Sequence, residues 1–533
     1  MNRPRFYIYL PIIFALVLIL GIFIGSTFTL RNSNGAINVS GNGTYGKIND
    51  ILTYVHDEYV DTINTKELVD KTIISLLSNL DPHSSYITSE ELSASNEPLQ
   101  GNFEGIGVEF NIVEDTIRVI SAIPGGPSEL VGVQAGDRII KVDGQQVAGI
   151  KITNKVVMEK LKGKGGTKVK VSMMRKGKKE LVDFVITRGT IPIYSIDVAY
   201  MVSPTTGYIK ISRFGATTYD EYMAAFGKLQ LQGMQKMILD LRGNGGGFLN
   251  TAVSIADEFL GNGKEIVYTI GKARPRTDYK ATARGDFEKG KLVVLIDDGS
   301  ASASEILAGA LQDNDRATIM GRRSFGKGLV QEQSEFTDGS AIRLTIARYY
   351  TPTGRSIQKS YANGLNAYYE EEHDRYANGE LESADSIKIT DSIKFITPAG
   401  RVVYGGGGII PDVFVGLDTT GRSLYLSEVL FSGTVNDFAF DYSDKHRETL
   451  KAYKTLENFN KSFQITAEIL NEFIVYAERN KIMRNDKEIR TSESILKNQM
   501  KALIARNIWN GEGFYQVIHT QDNVLKKAVE LLK

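Results

Sequence analysis

Apolar residues along this chain change their period several times, and each change marks a boundary. Residues 6–30 carry no charged side chain, behind the basic start Asn2-Arg3-Pro4-Arg5. At about 1.5 Å rise per residue, such a run spans a hydrocarbon core of roughly 30 Å. The basic flank predicts a cytoplasmic amino terminus at 1–6, an anchor at 7–30 and export of the remainder. A cleaved signal peptide is the competing reading. Residues 31–46, RNSNGAINVSGNGTYG, read as a flexible linker. Ile48, Ile51, Leu52 and Val55, then Leu68, Ile73, Leu76, Leu77 and Leu80, fall at helical spacing. This predicts a helical region over 47–100, interrupted at LDPHSSYIT (80–88), where Pro82 disfavours helix at Asp81.

From Gly101 the period drops to two. Short alternating runs between Gly/Pro turns predict a compact β domain over 101–189, closed by a hairpin in TKVKVSMMRKGKKELVDFVITRG (167–189). Gly105-Ile106-Gly107-Val108, GGPSELVGVQAGDRIIKVDG (125–144) and that hairpin together resemble a PDZ domain. Consecutive backbone N–H groups in a glycine turn capture a terminal carboxylate, and the adjacent strand edge pairs with an extended chain. Gly105, Ile106, Gly107 and Val108 are therefore the candidate peptide-binding residues, against the plainer reading of a tight turn.

Beyond Arg188, apolar runs such as MIL in QKMILDLRGNGGG (235–247) and VVLI in GKLVVLIDDG (290–299) alternate with helical stretches at 218–234, 248–260 and 302–314. Apolar strands separated by helices indicate a sheet covered on both faces. Residues 190–420 are expected as an α/β core with a mixed sheet flanked by helices. Within it, the acidic stretch 360–395 (including YYEEEHDRYANGELESADS) reads as a surface insertion. From 421 to 533 the pattern is helical again.

Composition narrows the chemistry. The chain has 533 residues, 42% hydrophobic and 24% charged, which suits about three or four folded domains. Lys+Arg and Asp+Glu both number 63, so the charge balance favours no nucleic-acid partner. The absence of cysteine excludes disulfides and thiol nucleophiles. The 5 histidines, at 56, 83, 373, 446 and 519, have no metal-ligand spacing. No metal or other cofactor is expected.

Two stretches carry the remaining chemistry. GRRSFGKG (321–328) nearly spells a phosphate-binding loop. However, Gly328 stands where a magnesium-binding hydroxyl belongs, and LVQEQSEF alternates like a strand where a helix should begin. Lys327 needs another role. In DDGSASASEILAGALQ (297–312) a buried strand ends, small residues turn the chain and a helix begins near Ser302. Helix capping is the commoner duty of serine there. The alternative is a nucleophile whose oxyanion meets the Ala303 N–H. A neutral lysine serves as base in Ser–Lys sites, and Lys327 follows the strand that succeeds this helix.

With LDPHSSY, LDLRGNGGG, GSASASEILAGALQDNDRATIMGRRSFGKGLVQ (299–331) and TPTGRSI in this order, about 45–417 resembles the carboxy-terminal processing peptidases, also called tail-specific proteases. The resemblance implies an α/β peptidase core with an inserted all-β PDZ domain, an N-terminal helical region and a C-terminal helical domain. It implies Ser302 as nucleophile, with Ser300 and Ser304 as competitors, Lys327 as general base and Gln331 as its orienting partner. Ala303 and Gly246 are the implied oxyanion donors, with Gly245 as the alternative because glycine replaces the family's frequent proline at 245. Asp240 and Arg242 are expected to support that turn. The expected activity is serine endopeptidase cleavage of proteins bound by their carboxy termini. The exported part would sit outside a bacterial inner membrane, in the periplasm or its equivalent, with room for a homodimer contact through the C-terminal helices and for an activating adaptor. A membrane-tethered PDZ scaffold with a latent core is the alternative reading.

Overall fold

The computed structural model describes residues 14–22, 46–388 and 394–533. Residues 14–22 are helical and exposed. Most of the expected anchor and nearly all of the linker lie outside the described residues, among which no helix is long and apolar enough to cross a membrane.

The chain divides into two compact units, Met1–Thr88 and Ser89–Lys533. In the first, helices Gly46–Glu58 and Thr65–Ser78 follow the predicted spacing, the second capped by the Asn64 side chain on the Glu67 N–H. The break at LDPHSSY is an Asp81 turn. One Asp81 oxygen accepts from the His83 and Ser84 N–H groups at 2.8 and 2.9 Å, and the other from Ser84 Oγ at 2.6 Å. The expected helical region 47–100 is split, because its third helix, Ser89–Gln100, belongs to the second unit. Its Glu97 pairs with Lys162, and its Asn96 accepts from Arg343 at 2.8 Å.

The β domain is an antiparallel sheet ordered Val108–Val113, Thr116–Ala122, Arg138–Val142, Lys168–Met174, Val182–Thr187. Helix Asn154–Leu161 closes it, burying Val157 and Leu161 with Ile106, Val119 and Ile139. Strands Asn102–Gly105 and Gly189–Pro192 pair with each other where the chain enters and leaves this domain.

The core sheet is ordered Ile196–Ser203, Thr206–Ile211, Lys236–Asp240, Lys291–Ile296, Thr318–Gly321, Val413–Phe414. Its first pair is antiparallel and the rest are parallel. Alternation explains the continuous apolar strands. Met237, Leu239, Leu292, Val294, Ile296 and Ile319 face one buried cluster; Ile238, Val293, Leu295 and Met320 face another. The second cluster is completed by Val524, Leu525 and Ala528 on the last helix, Asn523–Leu531, and by Leu532 just after it. That helix belongs to the core rather than to a separate C-terminal domain. A further antiparallel sheet contains the order Leu329–Glu335, Ala341–Tyr350, Glu265–Ile270, Thr277–Lys280.

The C-terminal helices surround their own cluster, including Phe438, Phe459, Phe473, Leu496 and Met500. The longest, Asp486–Ile518, is interrupted at Trp509–Asn510. Beneath the core lies an ion pair that the TPTGRSI motif does not advertise. Arg355 is fully buried and donates to Asp313 and Gln312, each at 2.7 Å, and to the Tyr404 carbonyl at 2.8 Å. Removing one member of such a pair strands the other charge, which costs about 3–5 kcal/mol. Arg355→Met is expected to lower unfolding stability by about that amount in denaturant titration; a loss below about 1 kcal/mol would contradict a structural role for the pair.

Candidate active site

Three adjacent parallel strands deliver the chemistry to one edge. Asp240, Ile296 and Gly321 are their last residues, with Asp240 opposite Leu295 and Ile296 opposite Gly321. The glycine turn 243–247, the serine turn 297–302 and the loop 322–328 all leave the carboxyl ends of these strands, where open α/β sheets place their ligand sites. They border a cavity of about 510 Å³ lined by Ser302, Lys327, Gln331, Gly245, Gly247 and Tyr349, among others.

The three serines of the SASAS stretch separate by position. Ser300 is fully buried, with Oγ 2.8 Å from the Leu241 carbonyl. Ser304 is equally buried and donates to the Asn244 carbonyl at 2.8 Å. Both tie the serine turn to the glycine turn. Ser302 lines the cavity. Its backbone has φ 56° and ψ −111° immediately before helix Ala303–Asp313, a conformation that costs a non-glycine residue of order 1–3 kcal/mol and tends to occur at functional sites. Gly246, at φ +102°, lies against this turn. A Cβ there would stand 2.8 Å from Ser302 Cβ and 3.0 Å from Ala303 N, so glycine is required for the close approach.

Lys327 and Gln331 reach the cavity by a different route. A strand, not a helix, follows FGKG, so the phosphate-loop reading has no geometry here. A register shift between Val330 and Gln331 bends that strand, and Lys327 Nζ donates to Gln331 Oε1 at 3.1 Å.

One buried carboxylate, absent from the sequence reading, links the serine turn to the lysine loop. Glu305 is 1% exposed. Its Oε2 accepts from the Ser302 and Lys327 N–H groups, both at 2.8 Å. Its Oε1 accepts from the Gly326 N–H at 2.7 Å and Ser324 Oγ at 2.5 Å. Burial pushes this carboxyl up to about 7, against the downward pull of those hydrogen bonds. Protonation need not break the Ser324 contact, because that hydroxyl also accepts from the Ile409 N–H at 2.6 Å and can reverse its own bond. Tyr349 adds a second link, its hydroxyl lying between the Ser302 and Lys327 carbonyls. The signal was present: Ser302-Ala-Ser-Glu305 spells the S-x-x-E capping pattern.

The amides of the glycine turn are not equivalent. The Gly246 N–H already donates to Asn244 Oδ1 at 2.9 Å, and it is Gly245 and Gly247 that line the cavity. Asn244 is fully buried, donates to the Ile211 carbonyl at 3.0 Å and accepts from the Ala301 N–H at 3.0 Å. An asparagine inside the turn thus consumes the amide that motif position alone would assign. Ala303 is the first residue of its helix, where an N–H has no carbonyl one turn back. Asp240 and Arg242 brace the turn from behind. Burial opposes the Asp240 charge, but Arg242 and Lys210 hold the carboxyl well below its usual range. Arg242 also reaches Asp522 at 2.7 Å.

In the β domain, Gly107 has φ +72°, and the Ile106 carbonyl accepts from the Ser128 N–H and Oγ at 3.0 and 2.6 Å. Val108 opens the edge strand of its sheet, so the glycine turn runs directly into a strand edge. Side chains of that domain are tied to the C-terminal helices. Asn111 donates to Asp437 at 2.7 Å, Arg118 pairs with Asp441, Glu109 with Arg506, and Lys176 with Asp444 at 3.1 Å.

Three family profiles match the chain. Peptidase family S41 matches residues 205–366, a PDZ domain 105–186, and a family of unknown function (DUF8443) 425–510. The carboxy-terminal-processing protease of Bartonella bacilliformis is 37% identical over 346 residues, covering 63% of this chain and 78% of the relative. Carboxy-terminal processing protease CtpA of Bacillus subtilis is 35% identical over 321 residues, covering 60% and 68%. Among solved structures, the photosystem II D1 C-terminal processing protease is 27% identical, covering 70% of this chain and 88% of that one with a TM-score of 0.36.

A carboxyl held near 7 in the fold and near 4.5 when unfolded retains its proton in the native state alone between those values. Its stabilisation is complete below about pH 4.5 and lost as pH rises through about 7, an amount of roughly 3 kcal/mol. The stability difference between wild type and Glu305→Gln, measured by denaturant titration from pH 4.5 to 8, is expected to shrink by roughly that amount as pH rises. A pH-independent difference would contradict the assignment.

Proposed function

The chain belongs to peptidase family S41 and is a serine peptidase of the carboxy-terminal processing kind with a PDZ domain, and on that premise we propose that Ser302 is its nucleophile and Lys327 its general base. The observation that carries this reading is the sharing of one cavity by Ser302, Lys327 and Gln331, with the lysine amine donating to the Gln331 carbonyl oxygen. A lysine must be neutral to accept a proton. Gln331 orients the amine without protonating it. Glu335 and Arg343 line the same cavity, and Glu305 takes the Lys327 backbone N–H.

In the proposed reaction, Lys327 accepts the Ser302 proton as Oγ attacks the scissile carbonyl. The developing oxyanion is met by the Ala303 N–H and by an amide of the glycine turn, for which Gly245 and Gly247 are better exposed than Gly246. Protonated Lys327 gives its proton to the leaving amine, and the acyl-enzyme forms. Water, deprotonated by the same lysine, attacks the ester and releases the acid. The Gly105–Val108 turn and the strand edge beginning at Val108 are proposed to hold the substrate's carboxy-terminal residues, carboxylate on backbone N–H groups and chain on edge.

Cleavage of an unfolded protein bearing an apolar carboxy-terminal tail tests both parts. Ser302→Ala and Lys327→Ala are each expected to lower kcat by a factor of about 10³ or more with unfolding midpoints preserved, and kcat/KM should rise with pH to a plateau. Amidation of the substrate's terminal carboxylate should raise KM. Turnover retained by either variant would remove the mechanism; indifference to amidation would remove the proposed terminal recognition alone.

A further inference from the structure

The acidic insertion 360–395 looks solvated in sequence, yet part of it is among the most deeply buried charge in the molecule. Helix Leu365–Ala377 and the turn after it bring Glu371, Arg375 and Glu380 onto the loop that precedes Lys327. Arg375 and Glu380 are 3% and 2% exposed, and Arg323 on the loop is 5% exposed. The polar composition misled because the charges are paired with one another rather than with water.

The contacts are directed at the loop backbone. Arg375 donates to the Arg323 carbonyl at 2.6 Å and to the Ser324 carbonyl at 3.1 Å. Glu380 accepts from Arg375 at 3.0 Å and takes the Arg323 guanidinium at 2.6 and 2.9 Å. Glu371 accepts from Arg323 at 3.0 Å and from Lys359 Nζ at 2.9 Å. Lys359 Nζ lies 4.3 Å from the ring centroids of both Phe325 and Tyr368, and its backbone N–H donates to the Gly326 carbonyl at 2.9 Å. Glu305 takes the Gly326 and Lys327 N–H groups. The carbonyls of 323, 324 and 326 and the amides of 326 and 327 are thus all engaged, the first two carbonyls by the insertion itself.

We infer that Arg375 and Glu380 of this insertion are positioning residues for Lys327, holding the backbone of 323–326 so that the amine enters the cavity in a single orientation. The inference rests on the reading of Lys327 as the base. It adds to that reading a segment that lies largely outside the matched S41 region, 205–366. Neither residue touches the reacting atoms. On the reading of Lys327 as the base, an amine that leaves its place beside Gln331 spends less time aligned and neutral in the cavity, so a larger share of the enzyme is inactive at neutral pH.

The test uses the full chain, a tail-bearing peptide substrate and the variants Arg375→Met and Glu380→Gln, with kcat and KM followed across pH. The expected result is a fall in kcat of about tenfold at pH 7, KM within about twofold of wild type, and an alkaline displacement of the rising limb of kcat by about half a pH unit or more. Arg375→Lys should recover part of the displacement. A variant that melts earlier but keeps the wild-type kcat and limb overturns the inference, because a purely structural role predicts that result. Where the deeper substitutions do not fold, Glu371→Gln, at a side chain 32% exposed, must displace the limb in the same direction by less; an unmoved limb there also overturns it. Lys327→Ala run in parallel separates the two readings. If it retains turnover, the base assignment fails. If it is inactive while Arg375→Met and Glu380→Gln behave as wild type, only the positioning role fails.

Discussion

The site depends on one buried carboxylate. Glu305 takes the N–H of Ser302 on one side and those of Gly326 and Lys327 on the other, so two loops from different strands share a single acceptor. Leaving a buried donor without its acceptor costs about 1–3 kcal/mol. Moving either loop therefore breaks contacts of the other. The strained Ser302 backbone persists because its surroundings over-determine it: Ser300 and Ser304 fasten the turn to the glycine loop, and Glu305 fastens it to the lysine loop.

This arrangement follows from the sheet beneath it. Adjacent parallel strands end level with one another, and each hands its loop to the same edge. Burial on both faces makes the strands rigid enough for small offsets to matter, since a displacement of about 1 Å at a reacting group can cost about 10² in rate. The C-terminal region contributes twice. Its final helix covers one face of the sheet, and Asp522 holds the Arg242 that braces the glycine turn. Its other helices hold the PDZ domain through a row of ion pairs.

Much of this was legible in sequence, and the omissions have physical causes. The switch from helical period to period two marked the PDZ domain, and apolar runs such as VVLI marked strands buried on both faces. The serine turn and Lys327 could be singled out because a serine turn and a glycine-flanked lysine stood at successive strand ends. Gln331, and the choice of Ser302 over Ser300 and Ser304, came from the resemblance to the carboxy-terminal processing peptidases. Glu305 was passed over although S-x-x-E was in view, because a capping glutamate and one that binds a distant loop look alike until the loop is placed. Gly246 was favoured as an oxyanion donor by motif position, but a neighbouring side chain, Asn244, already takes its amide. The insertion read as surface because composition reports charge and not pairing. The last helix read as part of a separate domain because an apolar face does not name the surface it will meet.

The central claim is that the middle hydroxyl of SASAS, held beside Lys327, makes the covalent bond to substrate. It is tested most directly by acid-quenching the enzyme during turnover and locating the acyl group by fragmentation of the peptide that contains Ser300, Ser302 and Ser304. The account predicts an acyl ester on Ser302 in the wild-type protein and none in Lys327→Ala. An ester on Ser300 or Ser304, or one that forms equally without the lysine, would contradict it.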